Sequence, residues 1–196
     1  MISLEDKVNE LDNIIKNIGE PLEGNCFYRH RSDFVERKGL EHHRHDIMFL
    51  SQDRQRYLEI GVNGGHSCLL VKHANPNIEI TGVDICRHSY VEPCCNHLGI
   101  RLLKGDSKKV LPTLIENGEI FDYIHIDGGH GLATVKKDIL NCKQLANQDT
   151  LVLIDDTSFS NINNLCNIYI EQGILIDISA NYQLDTRKHR LFKYLY

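Results

Sequence analysis

No apolar run in the sequence approaches the roughly 20 residues of a membrane-spanning helix, so no membrane partner is expected. A basic excess is missing as well: the formal net charge is -5, which offers nucleic acid no electrostatic footprint. The seven cysteines are odd in number and scattered, with no C-x-x-C pair. Buried or incidental thiols in a reduced, cytoplasmic protein are the expectation. The N-terminal stretch MISLEDKVNELDNIIKNIG is acidic and amphipathic, unlike a signal peptide. Repeats, linkers and low-complexity tracts are absent. What is present is a chain of 196 residues, 41% apolar and 25% charged, the balance of one soluble domain with a sizeable core.

Two apolar runs ending in carboxylate organise the chain: FDYIHIDGGH over Phe121–His130 and LVLIDD over Leu151–Asp156. Both read as buried strands of a parallel sheet. The helical stretch between them makes a right-handed crossover with the strands parallel, and ligands of such sheets bind outside the carboxyl ends of the strands. Asp127, Asp155 and Asp156 all sit at those ends, with no Lys or Arg alongside in sequence. If the strands are neighbours, roughly 5 Å apart, three anions converge. Either their pKa values rise or a hard divalent cation joins them.

The rest alternates. Ile2, Leu4, Val8, Leu11, Ile14, Ile15 and Ile18 recur at helical spacing, opened by Ser3 and Asp6 as a capping box and closed by Gly19 and Pro21. The stripe predicts a helix covering the domain rather than one docked on another subunit. The segment from Pro21 to Arg37 has no clear period and reads equally as a lid over substrate or as a solvated connector. Leu40–Leu50 reads as a helix; its His42, His43 and His45 are expected on a solvated face, because adjacent helical residues do not face each other and no second ligand cluster is spaced to help. RYLEIG (Arg56–Gly61) is a strand that runs through VNGGHS into a helix, and the helix start favours an anionic or strongly polar ligand group. A second strand over 77–84 ends in Asp84, 20 residues after Gly64, where an acid can accept two ribose hydroxyls. Strands over 100–104, 121–126 and 151–156 follow with intervening helices, and Pro112 falls in one of these. Two late strands, 174–178 and 189–196, predict an antiparallel hairpin.

The set E-I-G-V-N-G-G-H-S, V-D, G-D-S, I-D-G-G-H and I-D-D, one after each of the first five strands, resembles class I S-adenosylmethionine-dependent methyltransferases. The likeness is greatest to the metal-dependent small-molecule O-methyltransferases, the catechol-type enzymes and the macrolide-sugar enzymes such as macrocin O-methyltransferase. It covers Arg56 to the C-terminus. Residues 56–196 are then the S-adenosylmethionine-binding methyltransferase domain, and residues 1–55 an N-terminal helix with a lid or substrate segment. The resemblance implies an α/β fold: a doubly wound, Rossmann-like, mostly parallel seven-stranded sheet in order 3-2-1-4-5-7-6 with strand 7 antiparallel.

The resemblance also implies roles. Glu59 and Gly61 open the cofactor loop, Asn63 lies against the methionine part, and Ser67 bonds the cofactor carboxylate. Asp84 holds the ribose, and Asp106 with Ser107 borders the adenine. Asp127, Asp155 and Asp156 match the family's metal ligands, Mg²⁺ being the expected ion, and His130 stands where the catechol enzymes carry Lys and the sugar enzymes His. Asp in the third ligand position and His130 together point toward a sugar or other aliphatic diol as acceptor, with His130 as general base acting beside Asp127. A homo-oligomer fits the relatives, although this chain is shorter at the N-terminus than the sugar enzymes. Three other readings stand beside this one. A nicotinamide-dependent oxidoreductase is disfavoured by the missing third glycine of the dinucleotide fingerprint and by the carboxylate trio, which hydride transfer does not need. A metal-independent methyltransferase would use His130 alone. A silent binding subunit would not need Asp127, His130, Asp155 and Asp156 intact.

Overall fold

The computed structural model describes residues 3–196; Ile2, expected in the first apolar stripe, lies outside the described residues. Helix α1 spans Leu4–Ile18, with the Ser3/Asp6 capping box formed and Gly19 closing it in the left-handed conformation. Val8, Leu11 and Ile15 are buried, so the stripe docks on its own domain. The segment that follows is mostly exposed but anchored. Leu22 and Cys26 join the core, and two isolated β-bridges, Leu22–Ser32 and Tyr28–Glu36, hold it in a compact loop.

Helix α2 (Glu41–Ser51) leads into strand β1 (Arg56–Ile60), helix α3 (His66–Ala74), β2 (Glu79–Asp84), α4 (Val91–Leu98), β3 (Arg101–Lys104), α5 (Ser107–Glu116), β4 (Phe121–Ile126), α6 (Leu132–Gln144), β5 (Ala146–Ile154) and α7 (Ser160–Glu171). The hairpin of β6 (Leu175–Asp177) and β7 (Arg190–Tyr194) completes the chain. The sheet order is β3-β2-β1-β4-β5-β7-β6. Strands β1 to β5 are mutually parallel, and β7 runs antiparallel to both β5 and β6. This is the order and orientation implied by the family resemblance.

Alternation along the strands divides the core into two layers. Tyr57, Tyr123, Leu151, Leu153 and Leu191 face α1, α2, α3 and α4. Leu58, Ile124, Val152, Ile154 and Phe192 face α5, α6 and α7. Three details differ from expectation. Strand β5 starts at Ala146 rather than Leu151: Ala146 pairs with Phe121, the polar N-Q-D-T bulges out of register before Leu151 pairs with Tyr123, and the Thr150 hydroxyl donates to the Phe121 carbonyl at 2.7 Å. Pro112 lies inside α5 rather than in its first turn; the N–H it lacks would have bonded the carbonyl of the exposed Lys108, which water can reach. The β6–β7 connection contains a one-turn 3-10 helix, Ser179–Tyr182.

Candidate active site

The glycine turn after β1 is dictated by crowding. Gly61 has φ +89°, and a Cβ there would collide with the Asp127 carbonyl and Gly128, so the tips of β1 and β4 touch through backbone. The turn brings Asn63 back over β2. Asp84 accepts from the Asn63 backbone N–H at 2.9 Å and from the Cys86 N–H at 2.6 Å. The Asn63 side chain accepts from the Tyr90 hydroxyl at 2.8 Å. Glu59 points the other way, into the core, and is fully buried. Ser67 donates its hydroxyl to one Glu59 oxygen, and the Cys68 thiol donates to the other at 2.6 Å. The Ser67 proton is therefore engaged inside the protein, and the backbone N–H groups at the start of α3 are the donors this end presents. Asp106 caps α5 by accepting from the Lys108 N–H at 3.0 Å, with Ser107 buried beside it.

The second half of the site lies at the tips of β4 and β5. Backbone bonds from Asp127 N–H to Ile60 and from Asp155 N–H to Ile126 carry the sheet up to both acids. Asp156 then turns with φ +57°, a left-handed conformation unusual for a residue with a side chain. Carboxylate oxygens of Asp127 and Asp155 form one grouping with His125, and those of Asp127 and Asp156 form another with His130; within each, the ligand atoms lie within 4.8 Å of one another. Asp127, His130, Asp155 and Asp156 line one cleft, and among the described residues no single grouping within 4.8 Å holds all three acids. Burial raises the Asp127 carboxyl well above its usual range, and the charges of Asp155 and Asp156 push it further. His130 Nε2 lies 2.6 Å from Asp156. That hydrogen bond raises the histidine above its ordinary value against the opposing effect of partial burial. Phe159, 48% exposed, stands over it with ring centroids 5.7 Å apart.

Sequence reasoning missed the other side of Asp155. His43 is not on the solvated face expected for it. It is buried, its Nε2 3.2 Å from Asp155 Oδ2, and burial pushes it down to about 4, which keeps the ring neutral. His189, fully buried, packs against it at a tilt of 40°, with ring centroids 4.6 Å apart. His125 approaches the same oxygen at 3.9 Å from β4; burial pulls it down, but the hydrogen bond and charge of Glu59 outweigh that and raise it. A second cluster thus exists after all, supplied by residues far apart in sequence. The histidine inside FDYIHID, polar in an otherwise apolar buried strand, was the one local signal for it. The Asp155 carboxyl, by contrast with Asp127, is lowered: burial alone would raise it, and the surrounding imidazoles of His43, His125 and His189, together with the Asp156 backbone N–H, outweigh that. The seven cysteines are free, six of them buried, and among the described residues no helix is long and apolar enough to cross a membrane.

The family described as methyltransferase domain matches residues 58–157, from β1 through the acids after β5. No curated protein sequence matches the chain. Among solved structures, cofactor-bound Rv0187 from MTB superposes with a TM-score of 0.68 and 16% identity, over 95% of this chain and 88% of that one. The O-methyltransferase TomG from Streptomyces achromogenes, in complex with SAM, gives a TM-score of 0.64 at 14% identity, over 96% of this chain and 89% of that one. MycE methyltransferase from the mycinamycin biosynthetic pathway, in complex with Mg and SAH, gives 0.61 at 19% identity, over 94% of this chain and 54% of that one. At such identities these likenesses show a common fold.

Proposed function

This chain belongs to the methyltransferase-domain family, and from that premise we propose that it transfers the methyl group of S-adenosylmethionine to a hydroxyl of a small molecule, with a sugar or similar diol as the acceptor class. The observation that carries the reading is that Asp127, Asp155, Asp156 and His130 line one cleft, together with a glycine turn and a ribose-type acid, Asp84. The nicotinamide reading has no support in the family match.

Each residue has a part. The N–H groups at the start of α3 face the cofactor's carboxylate, and Asn63 lies along its methionine part. Asp84 keeps free lone pairs for two ribose hydroxyls beyond its two backbone donors. Ile85, 63% exposed, offers apolar surface toward the base, bordered by Asp106 and Ser107. Glu59, Gly61 and Ser67 act through the shape of the turn.

The donor set of Asp127, Asp155 and Asp156 is all carboxylate, which suits a hard ion such as Mg²⁺, and the raised Asp127 carboxyl is what unneutralised acids at such a place produce. When bound, such an ion lowers the pKa of an acceptor hydroxyl and orients it. His130 is positioned to take the hydroxyl proton once Asp156 no longer holds its Nε2, because that hydrogen bond is the main cause of its raised pKa. Phe159 walls the acceptor side. The sugar or diol class rests on His130 and Asp156; a small-molecule acceptor is in keeping with MycE, a neighbour in fold solved with Mg, SAH and mycinamycin VI.

Calorimetric titration of S-adenosylhomocysteine into metal-stripped protein, then of Mg²⁺ into the complex, tests the proposal. Both steps are expected, with the metal step lost in Asp155→Ala/Asp156→Ala. Cofactor binding without a metal step would leave His130 as a lone base. No cofactor binding would overturn the reading.

A further inference from the structure

The imidazoles around Asp155 are set up in an unusual way. His189 Nε2 lies 3.0 Å from Asp46 Oδ2. A carboxylate only accepts, so Nε2 carries the hydrogen and Nδ1 is left with its lone pair. That Nδ1 is buried and has no hydrogen-bond partner. His43 Nε2 is likewise buried and partnerless; it stands near Asp155 but out of hydrogen-bond geometry. One ring nitrogen of each histidine and an Asp155 oxygen lie within 4.8 Å of one another. Orphaned buried nitrogens are costly, and two of them on rings grouped with one carboxylate make a donor set that a cation would satisfy. The carboxylate–histidine pair of Asp46 and His189 is the arrangement that orients and strengthens a metal-binding imidazole. Asp46 is itself anchored by the Asp185 N–H at 3.2 Å.

We propose that His43 Nε2, His189 Nδ1 and Asp155 form a second cation site, one that takes a borderline divalent transition ion of the Zn²⁺ or Co²⁺ type rather than Mg²⁺. Nitrogen ligands select against the hard ion, and three protein ligands leave a fourth position of a tetrahedral set open. Bonds of about 2.0–2.1 Å require only side-chain adjustment from the observed separations. The site shares Asp155 with the carboxylate trio, and its other two ligands belong to no part of the methyl-transfer site. The ligands come from α2, the tip of β5 and the start of β7, so a bound ion would tie the N-terminal helices to the C-terminal hairpin.

Titrating Co²⁺ into the metal-stripped full chain, followed by visible absorption and by proton NMR in H₂O and D₂O, tests this. With Mg²⁺ in large excess to hold the carboxylate trio, one Co²⁺ per chain is expected, with the intense visible bands of a four- or five-coordinate site. A hyperfine-shifted imidazole N–H that vanishes in D₂O would report the His189 Nε2–H. Zn²⁺ should displace the ion and a large excess of Mg²⁺ should not. His43→Gln and Asp46→Asn should each weaken uptake about 10-fold or more, while Asp156→Asn should leave the spectrum unchanged. No uptake by the wild-type chain, or a weak six-coordinate spectrum that Mg²⁺ abolishes and Asp156→Asn removes, would overturn the proposal. The wild-type spectra decide the matter even if a variant fails to fold.

Discussion

At the tip of β1, Glu59 is fully buried and its two oxygens accept from Ser67 and Cys68; at the tips of β4 and β5, Asp127 is crowded by two more acids, with no donor but a shared histidine or a cation to relieve it. One is a buried and the other a half-buried carboxylate of one sheet. The first is internally satisfied and shapes the loop. The second carries its repulsion unresolved, which costs stability in the isolated chain and is tolerated where something else binds. A buried carboxylate is therefore read by its partners rather than by its burial.

The largest effect should come from relieving the crowded end. Asp127→Asn is expected to lower turnover about 1000-fold while raising the melting temperature, since it removes one of three repelling charges. A fall in both would mean that Asp127 supports the fold as Glu59 does. Glu59→Ala should do the opposite. It strands two buried donors and is expected to cost about 3–5 kcal/mol in urea unfolding; a cost below about 1 kcal/mol would erase the contrast. Asp84→Asn tests the intermediate case, a carboxylate with two backbone donors and lone pairs to spare. Its affinity for S-adenosylhomocysteine should drop by about 1.5–3 kcal/mol, with unfolding little changed.

The smallest effect concerns Asp138 on α6, a third kind of carboxylate: buried at 1% exposure, with neither oxygen hydrogen-bonded. Burial pushes it up from 3.8 to about 6. Between those values the folded chain keeps a proton that the unfolded chain has released, so stability falls as pH rises through the window and then levels off. Asp138→Asn cannot ionise. It should match wild type below pH 4 and exceed it by about 1–2 kcal/mol at pH 7. Parallel pH profiles would show that Asp138 finds a donor in solution.

The regularities that were legible are local ones. Alternating apolar runs and glycine turns place Asp84, Asp127, Asp155 and Asp156 at strand ends, because a parallel crossover leaves a strand's end at one edge of the sheet whatever the packing. The hydroxyl of Ser67 was not legible in the same way: its position at a helix start suggested a ligand, but the direction in which Glu59 points decides what it bonds. Nor was the loop after α1, whose Leu22 and Cys26 are buried by contacts with distant helices.

By itself the sequence determined the strand and helix order, the tips at which acids gather and the family to which that order belongs. Only the tertiary structure decided which acids are satisfied and which are not. His43, Asp155 and His189 come from opposite ends of the chain, and Asp46 meets His189 across a separation of 143 residues. No helical or strand period spans such a distance. The meeting is set by how α2 packs against the sheet and by the antiparallel return of β7 beside β5, and packing is a property of the folded whole.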